Sequence, residues 1–122
     1  MLVVNCKSNK FDVYGGRNKS GSVPMRPGSY GWLGNPYKIG NNKCGTLDRD
    51  GCIAMFKRYF WNRINTDKDY LWAVLDLKGK TVGCYCKPDA CHLDVIASWF
   101  DAGCPVKHID GGYAKLFSSS AS

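Results

Sequence analysis

The chain has 122 residues, enough for one hydrophobic core, and its 44% hydrophobic and 13% aromatic residues are typical of a sequence that folds. No apolar run approaches the roughly 20 residues of a membrane-spanning helix, and no basic region followed by a long apolar stretch opens the chain, so we expect neither a membrane span nor a signal peptide. The seven cysteines, an odd number, favour reduced thiols in a cytoplasmic protein (in the host cytoplasm if the protein is viral) over a disulfide framework.

The net charge of +7 is concentrated in the first half of the chain. Eight basic and three acidic residues lie between Met1 and Asp50, and no acidic residue lies between Asp12 and Asp48. Such a one-sided surplus favours an anionic partner such as a phosphate, a nucleotide or nucleic acid. The alternative is a basic surface that only keeps the protein in solution.

The first half is predicted to hold two short strands and a long loop. Apolar runs predict strands over 2–6 and 11–14. A basic, Gly-rich loop follows at 15–45, with eight of the 14 glycines and three of the five prolines. A loop of this length in a small domain is more often functional than idle, and its aromatic residues argue against a disordered linker.

The second half alternates helices and strands. We predict a helix starting at Asp48 or Asp50, a second one after Thr66 or Asp67, a strand over 80–86, a helix over 90–102 capped by Asp89, and a last strand over 106–109 that includes His108. Apolar spacing predicts these buried helix faces: Ile53, Phe56, Phe60 and Ile64; Leu71, Val74 and Leu75; Leu93, Ile96, Trp99 and Phe100. The whole reads as a single small Rossmann-like α/β domain over 1–117, with a mostly parallel sheet flanked by helices, and a frayed tail at 118–122.

The segment GCYCKPDACHLDV at 83–95 contains three cysteines and a histidine. Cys84, Cys86, Cys91 and His92 could supply four zinc ligands, but C-x-C on an extended strand is a poor match to the usual C-x2-C knuckle, so we expect no bound metal. A reactive thiol is the second interpretation, because Cys86 precedes a helix in a C-x5-H pattern similar to the C-x5-R loop of thiol phosphatases. His92 replaces the arginine, which removes the bidentate phosphate clamp.

The favoured interpretation of this segment is a pocket that binds an anion without reacting with it. Backbone N–H groups at the helix start, together with Lys87 and His92, would hold the anion. Cys84 and Cys86 would then line the wall of the pocket or the core. A purely structural role, with a hydrogen-bonded histidine and buried thiols, is the remaining alternative.

The motifs YGGRN at 14–18, LGNPY at 33–37 and CYCKPDACHLDVI at 84–96 occur in this order, and together they resemble the family known as domain of unknown function 4326. The resemblance covers about positions 12–102, and the segment GSVPMRPGSY at 21–30 departs from it as an insertion. It implies a small Rossmann-like fold and a phage-type origin, and it implies no established activity. The family motifs fall on Gly16, Arg17, Gly34, Asn35, Pro36, Cys84, Cys86, Lys87, Pro88, Cys91 and His92.

The candidate ligand-binding residues come mainly from the long loop. Arg17 follows two glycines and could hold a phosphate. Asn35 is restricted by Pro36 and could read a base edge or stabilise a turn, and Trp32 and Tyr37 could stack on a base or belong to the core. The full predicted set is Arg17, Asn18, Arg26, Trp32, Gly34, Asn35, Tyr37, Lys87 and His92.

These residues predict a phage-type protein that binds a phosphorylated, nucleotide-like ligand in a basic pocket and sequesters or processes a host signalling nucleotide. The alternative is nucleic-acid or host-protein binding through the basic 15–45 loop. Turnover stays open; its catalytic residues would be His92 as acid–base and Cys86 and Cys91 as thiols. We expect no cofactor and no membrane partner.

Overall fold

The computed structural model describes residues 1–42, 45–107 and 113–115, which form a small mixed α/β domain. Its strands are β1 (Leu2–Asn5), β2 (Val13–Tyr14), β3 (Gly40–Asn42), β4 (Gly45–Leu47), β5 (Thr81–Cys84), β6 (Pro105–Lys107) and β7 (Tyr113–Lys115). Its helices are α1 (Arg49–Thr66), α2 (Lys68–Leu75) and α3 (Leu93–Asp101). No helix in these three ranges combines the length and the apolar character needed to cross a membrane.

The central sheet is parallel and has the strand order β1-β5-β2. Val82 in the middle strand pairs with Val3 on one side and Val13 on the other, and its side chain is fully buried. The predicted α/β fold with a parallel sheet is therefore confirmed. Two antiparallel pairs, β3-β4 and β6-β7, accompany the sheet. The strand β3 and the first residue of β4 lie in the segment 15–45, for which the sequence predicted only a loop.

Helix α1 begins where the sequence predicts, because the Asp48 carboxylate accepts a hydrogen bond of 2.7 Å from the backbone N–H of Gly51. Asp67 caps α2 in the same way through the N–H of Tyr70. The predicted buried face of α1 is confirmed for Phe56, Phe60 and Ile64, whereas Ile53 is only half-buried.

The hydrophobic core lies between the sheet and the three helices. Leu93 and Ile96 of α3 are fully buried in it, and Trp99 packs edge-on against Phe60 at 5.4 Å between ring centroids. Val74 of α2 is buried as predicted. Leu71, Leu75 and Phe100 only flank the core, and the core also takes in Tyr70 of α2, which the sequence analysis did not assign to it.

Arg63 is a buried cation that joins α1 to the long loop. Its guanidinium contacts the Asp67 carboxylate at 2.8 Å, donates to the Tyr59 hydroxyl at 2.8 Å and donates to the Met25 carbonyl at 3.1 Å. The same group lies 4.1 Å from the centroid of the Tyr70 ring. The partner carboxylate and these hydrogen bonds offset the desolvation of a charge that is only 6% exposed.

Two predicted boundaries beside the Cys–His segment are wrong. The strand predicted over 80–86 ends at Cys84 because its neighbours end there: Asn5 pairs with Cys84, and Tyr14 pairs with Gly83. Cys86 therefore lies in a turn, where its carbonyl accepts from the N–H of Asp89 at 2.8 Å, and it does not share a strand face with Cys84. Helix α3 begins at Leu93, so Asp89 does not cap it. The last predicted strand is seen as Pro105–Lys107; His108, Ile109 and the tail at 118–122 lie outside the described residues.

Candidate functional site

A cavity of about 320 Å³ opens at the edge where the parallel strands end. Its charged lining is entirely basic among the described residues: Arg17, Lys19 and Arg49. Three tyrosines (Tyr14, Tyr37 and Tyr85), two asparagines (Asn18 and Asn35) and the group Cys84, Cys86, Cys91 and His92 also line it. The structure thus brings together Arg17, Asn18, Asn35, Tyr37, Cys86, Cys91 and His92 from the predicted set.

His92 holds the long loop at two points, its first residue Gly15 and the interior residue Leu33. Its Nε2 lies 2.9 Å from the carbonyl oxygens of both Gly15 and Leu33, so Nε2 carries the proton and donates to them. The ring packs edge-on against Phe56 of α1 at 4.9 Å between centroids. Burial lowers the pKa of His92 to about 4, so the imidazole is neutral at pH 7 and its Nδ1 bears a lone pair.

Arg17 and Asn35 are bound to each other at the rim of the cavity. The Arg17 guanidinium donates to the Asn35 carbonyl at 3.0 Å. The Asn35 side chain donates to the Cys52 carbonyl at 3.1 Å and accepts from the Tyr37 N–H at 2.9 Å. A Cβ on Gly34 would lie 2.8 Å from the Cα of Arg17, so only glycine permits this close approach of the two chain segments. The Asn35 amide thus braces the loop.

Asn18 organises the turn that follows Arg17. Its Oδ1 accepts from the Ser22 backbone N–H at 2.9 Å and from the Ser20 hydroxyl at 2.8 Å. Side-chain acceptors of this kind stabilise tight turns in place of backbone contacts. The turn positions Lys19 and Gly21 along the same wall of the cavity.

The tyrosines form an aromatic wall beside the basic groups. Tyr14 stacks on Tyr30 at 5.0 Å with an angle of 14° between the rings, and it meets Tyr85 edge-on at 6.0 Å. Burial raises the pKa of Tyr14 to about 12, which keeps its phenol protonated at neutral pH. Lys7 lies 5.5 Å from the centre of the Tyr85 ring and adds a cation at this edge.

Three thiols form the floor of the cavity. The Cys91 thiol donates to the Cys84 sulfur at 3.2 Å, and the sulfurs of Cys84, Cys86 and Cys91 all lie within 4.8 Å of one another. The thiol donor lowers the pKa of Cys84, whereas its partner and burial raise the pKa of Cys91. His92 Nδ1 lies 3.6 Å from the Cys91 sulfur.

Arg49 lines the cavity but was not in the predicted set, and the same holds for Tyr14, Lys19 and Tyr85. Arg49 is the first residue of α1, and its guanidinium donates to the Ala90 carbonyl at 3.2 Å and lies 3.8 Å from the Asp89 carboxylate. Its side chain remains 40% exposed. The sequence carries one signal for it, since a residue directly after a helix cap sits at the helix end that faces a ligand in many α/β sites.

Four predicted ligand residues lie away from the cavity lining. Trp32 is a core residue that packs edge-on against Tyr70 at 5.7 Å. Gly34 lies behind Arg17, and Arg26 is exposed elsewhere on the loop. Lys87 forms an ion pair with Asp94.

Not all backbone N–H groups at the start of α3 are free to bind an anion, which the sequence-based prediction required. The Asp94 carboxylate accepts from the backbone N–H of Cys91 at 3.0 Å. A side chain of this same chain thereby occupies one of the free N–H groups on which the predicted anion site at this helix end depended.

Comparison with known proteins identifies the family. The model of a domain of unknown function (DUF4326) matches residues 4–102. The chain belongs to this family. A 49-residue segment is also 39% identical to an uncharacterised 12.4 kDa protein in the nrdA-td intergenic region of Enterobacteria phage T4, and this match covers 40% of the chain and 45% of that phage protein. The chain thus spans less than half of that relative, and no solved structure matches the chain.

The resemblance found from the sequence to DUF4326 is therefore confirmed, together with a phage-encoded relative. In the fold, the three motifs of this DUF4326 protein meet at one place. YGGRN supplies Arg17 to the rim of the cavity, LGNPY supplies the Asn35 brace, and the Cys–His segment supplies the floor and the His92 tether.

Proposed function

We propose that this DUF4326 protein binds a small phosphorylated, nucleotide-like ligand in the cavity at the carboxyl edge of the sheet. The observation that carries the proposal is the lining itself, in which Arg17, Lys19 and Arg49 face one space with no acidic neighbour in the lining. Three cations around one concave space favour an anion with several charges. Arginine in particular matches phosphate oxygens in two-point contacts.

The neutral part of the lining supports the nucleotide-like character of the ligand. Tyr14, Tyr37 and Tyr85 offer ring faces or edges beside the basic groups, and bases stack on such surfaces. A cavity of about 320 Å³ is at the lower end of the range of small-molecule sites, which favours one nucleotide over a long polymer.

The position of the cavity in the sheet is a further argument. Ligands of open α/β folds bind outside the carboxyl ends of parallel strands, and β2 and β5 both end here. On this basis we also propose that the fold is Rossmann-like. If the ligand is processed as well as bound, Cys86 and Cys91 are the nucleophile candidates, and His92 Nδ1 lies near the Cys91 sulfur.

The test is ligand capture followed by matched charge removal. The purified protein is incubated with a nucleotide extract, washed and denatured, and the released compounds are identified by mass spectrometry. We expect one phosphorylated compound in near-stoichiometric amount, recovered intact from a binder and altered from an enzyme. A protein that releases nothing would contradict the proposal.

The variants Arg17→Ala and Arg49→Ala should weaken binding of the captured compound about 10- to 100-fold, since a hydrogen bond to a charged group contributes roughly 1.5–3 kcal/mol. Arg58→Ala is the matched control, because it removes the same charge from an exposed position of α1 outside the cavity. Equal affinity in all three variants would refute the cavity as the binding site. His92→Ala, the sequence-based test, is less specific because His92 also holds the loop.

A further inference from the structure

The three thiols on the cavity floor come from three different local structures. Cys84 ends β5, Cys86 lies in the turn that follows, and Cys91 precedes α3. From the sequence we expected no metal, because Cys86 was predicted to lie with Cys84 on one extended strand. Because the strand ends at Cys84, the turn brings the Cys86 sulfur back toward the other two, and all three sulfurs lie within 4.8 Å of one another.

This spacing is that of a metal site. A tetrahedral cation with metal–sulfur bonds of about 2.3 Å places its sulfur ligands about 3.8 Å apart. The Cys84 and Cys91 sulfurs lie 3.2 Å apart, which is shorter than this value. No two of the three sulfurs are more than 4.8 Å apart, so the observed distances lie around it. Side-chain rotations that change the sulfur–sulfur distances by about 1 Å or less would therefore suffice, and the fold need not change.

We propose that Cys84, Cys86 and Cys91 bind one thiolate-preferring divalent cation, Zn²⁺ in the first instance, with a fourth coordination position open to the cavity. The three thiols give up their protons to solvent when the cation binds. His92 is not among the proposed ligands, because the group whose ligand atoms all lie within 4.8 Å of one another contains only the three cysteines. All three cysteines line the cavity, so the open position faces Arg17 and Arg49. Three protein ligands and one exchangeable position are the pattern of a catalytic, not a structural, zinc site.

Cobalt gives a direct test, because Co²⁺ bound tetrahedrally to thiolates absorbs strongly where the free ion does not. The full chain is freed of metal by a chelator, kept reduced with a phosphine, and titrated with Co²⁺. We expect a thiolate-to-cobalt charge-transfer band that saturates at one Co²⁺ per chain and disappears on addition of one equivalent of Zn²⁺. A protein that gives no such band would overturn the proposal.

The ligands are tested with single serine variants. Cys86→Ser should lose the band, and Cys86 is the best position because its side chain is only half-buried and a serine there leaves the core intact. Cys6→Ser is the matched control, since Cys6 is also half-buried and its thiol is outside the group. A band that survives Cys86→Ser and Cys91→Ser would overturn the assignment.

Inorganic phosphate tests the open position. Its addition to the cobalt protein should shift the visible cobalt bands, because it enters the fourth position. Bands unchanged by phosphate and lost in His92→Gln would overturn the open position and make His92 Nδ1 the fourth ligand. The cobalt titration needs no nucleotide, and nucleotide binding by the metal-free protein needs no cation, so each proposal can fail without the other.

Discussion

His92 is a buried side chain that holds the walls of the cavity together. Its ring connects Gly15, Leu33 and Phe56, which belong to three separate parts of the chain. From the sequence, His92 could be predicted only as part of a Cys–His pattern. Its two acceptors are backbone carbonyls 77 and 59 positions away, and no local pattern encodes them.

At this scale we predict that His92→Phe lowers the free energy of unfolding by about 2–4 kcal/mol, because two buried carbonyls lose their donor while the volume of the ring is kept. His92→Gln, which retains an N–H donor at similar reach, should lose less than half of that amount. Urea unfolding of the metal-free protein measures both values. A phenylalanine variant as stable as the wild type would mean that the carbonyls do not depend on the imidazole.

The first residue of a helix could be predicted from the sequence where a local side chain caps it. The last residue of a strand could not, because it depends on where the neighbouring strands end. Asp48 and Asp67 cap α1 and α2 through N–H groups three residues away, so the sequence alone places both helix starts. The end of β5 depends on where β1 and β2 stop, and this information lies some 70 residues away in the chain. The wrong placement of Cys86 followed from that, because the predicted strand was extended two residues too far.

Asp67 has two roles in the helices, because it caps α2 and also forms an ion pair with buried Arg63 of α1. Asp67→Ala should cost about 1–2 kcal/mol for the cap alone, and more because Arg63 loses its carboxylate. Asp67→Asn keeps the cap and removes only the charge, so it should be intermediate. Chemical unfolding at pH 7 ranks the three proteins, and equal stability of the two variants would contradict a separate effect of the ion pair.

The same pair gives a pH dependence with a definite sign. The hydrogen bond from Arg63 lowers the pKa of Asp67 in the folded state, so the unfolded chain binds this proton more readily. Its contribution is complete above the unfolded carboxyl pKa of about 3.9 and is lost as pH falls through the lower folded pKa. Unfolding measured between pH 5 and the acid limit should therefore depend less on pH in Asp67→Asn than in the wild type; identical profiles would refute this.

For the molecule as a whole, the sequence predicts the excess of basic residues in the first half, but it does not predict which of them lie together around the cavity. The sequence predicted a basic surface in the first half, and the fold selects Arg17 and Lys19 from that half for the cavity while leaving Arg26 outside. A third cavity cation of the same half, Arg49, lies outside the long loop at the start of α1. Which cations share one space depends on the path of the loop, and His92 and Asn35 fix that path through tertiary contacts.

Salt dependence distinguishes the cavity from a nucleic-acid surface. A protein that contacts about six phosphates of duplex DNA shows a slope of log affinity against log salt near −5. Binding of one nucleotide through three cations should show a much shallower slope and a 1:1 stoichiometry in titration calorimetry. A steep slope with duplex or single-stranded DNA, and no nucleotide binding, would favour the alternative of nucleic-acid binding by the basic loop.

The imidazole tether has a consequence for how this chain tolerates change. Because the His92 imidazole holds both Gly15 and Leu33, it closes the chain segment between them into a loop. Loop-closure entropy rises only logarithmically, so each doubling in length costs about 0.6 kcal/mol. The insertion GSVPMRPGSY at 21–30 lies between the two anchor points. A change in chain length within this segment therefore costs little loop-closure entropy as long as His92 keeps both contacts.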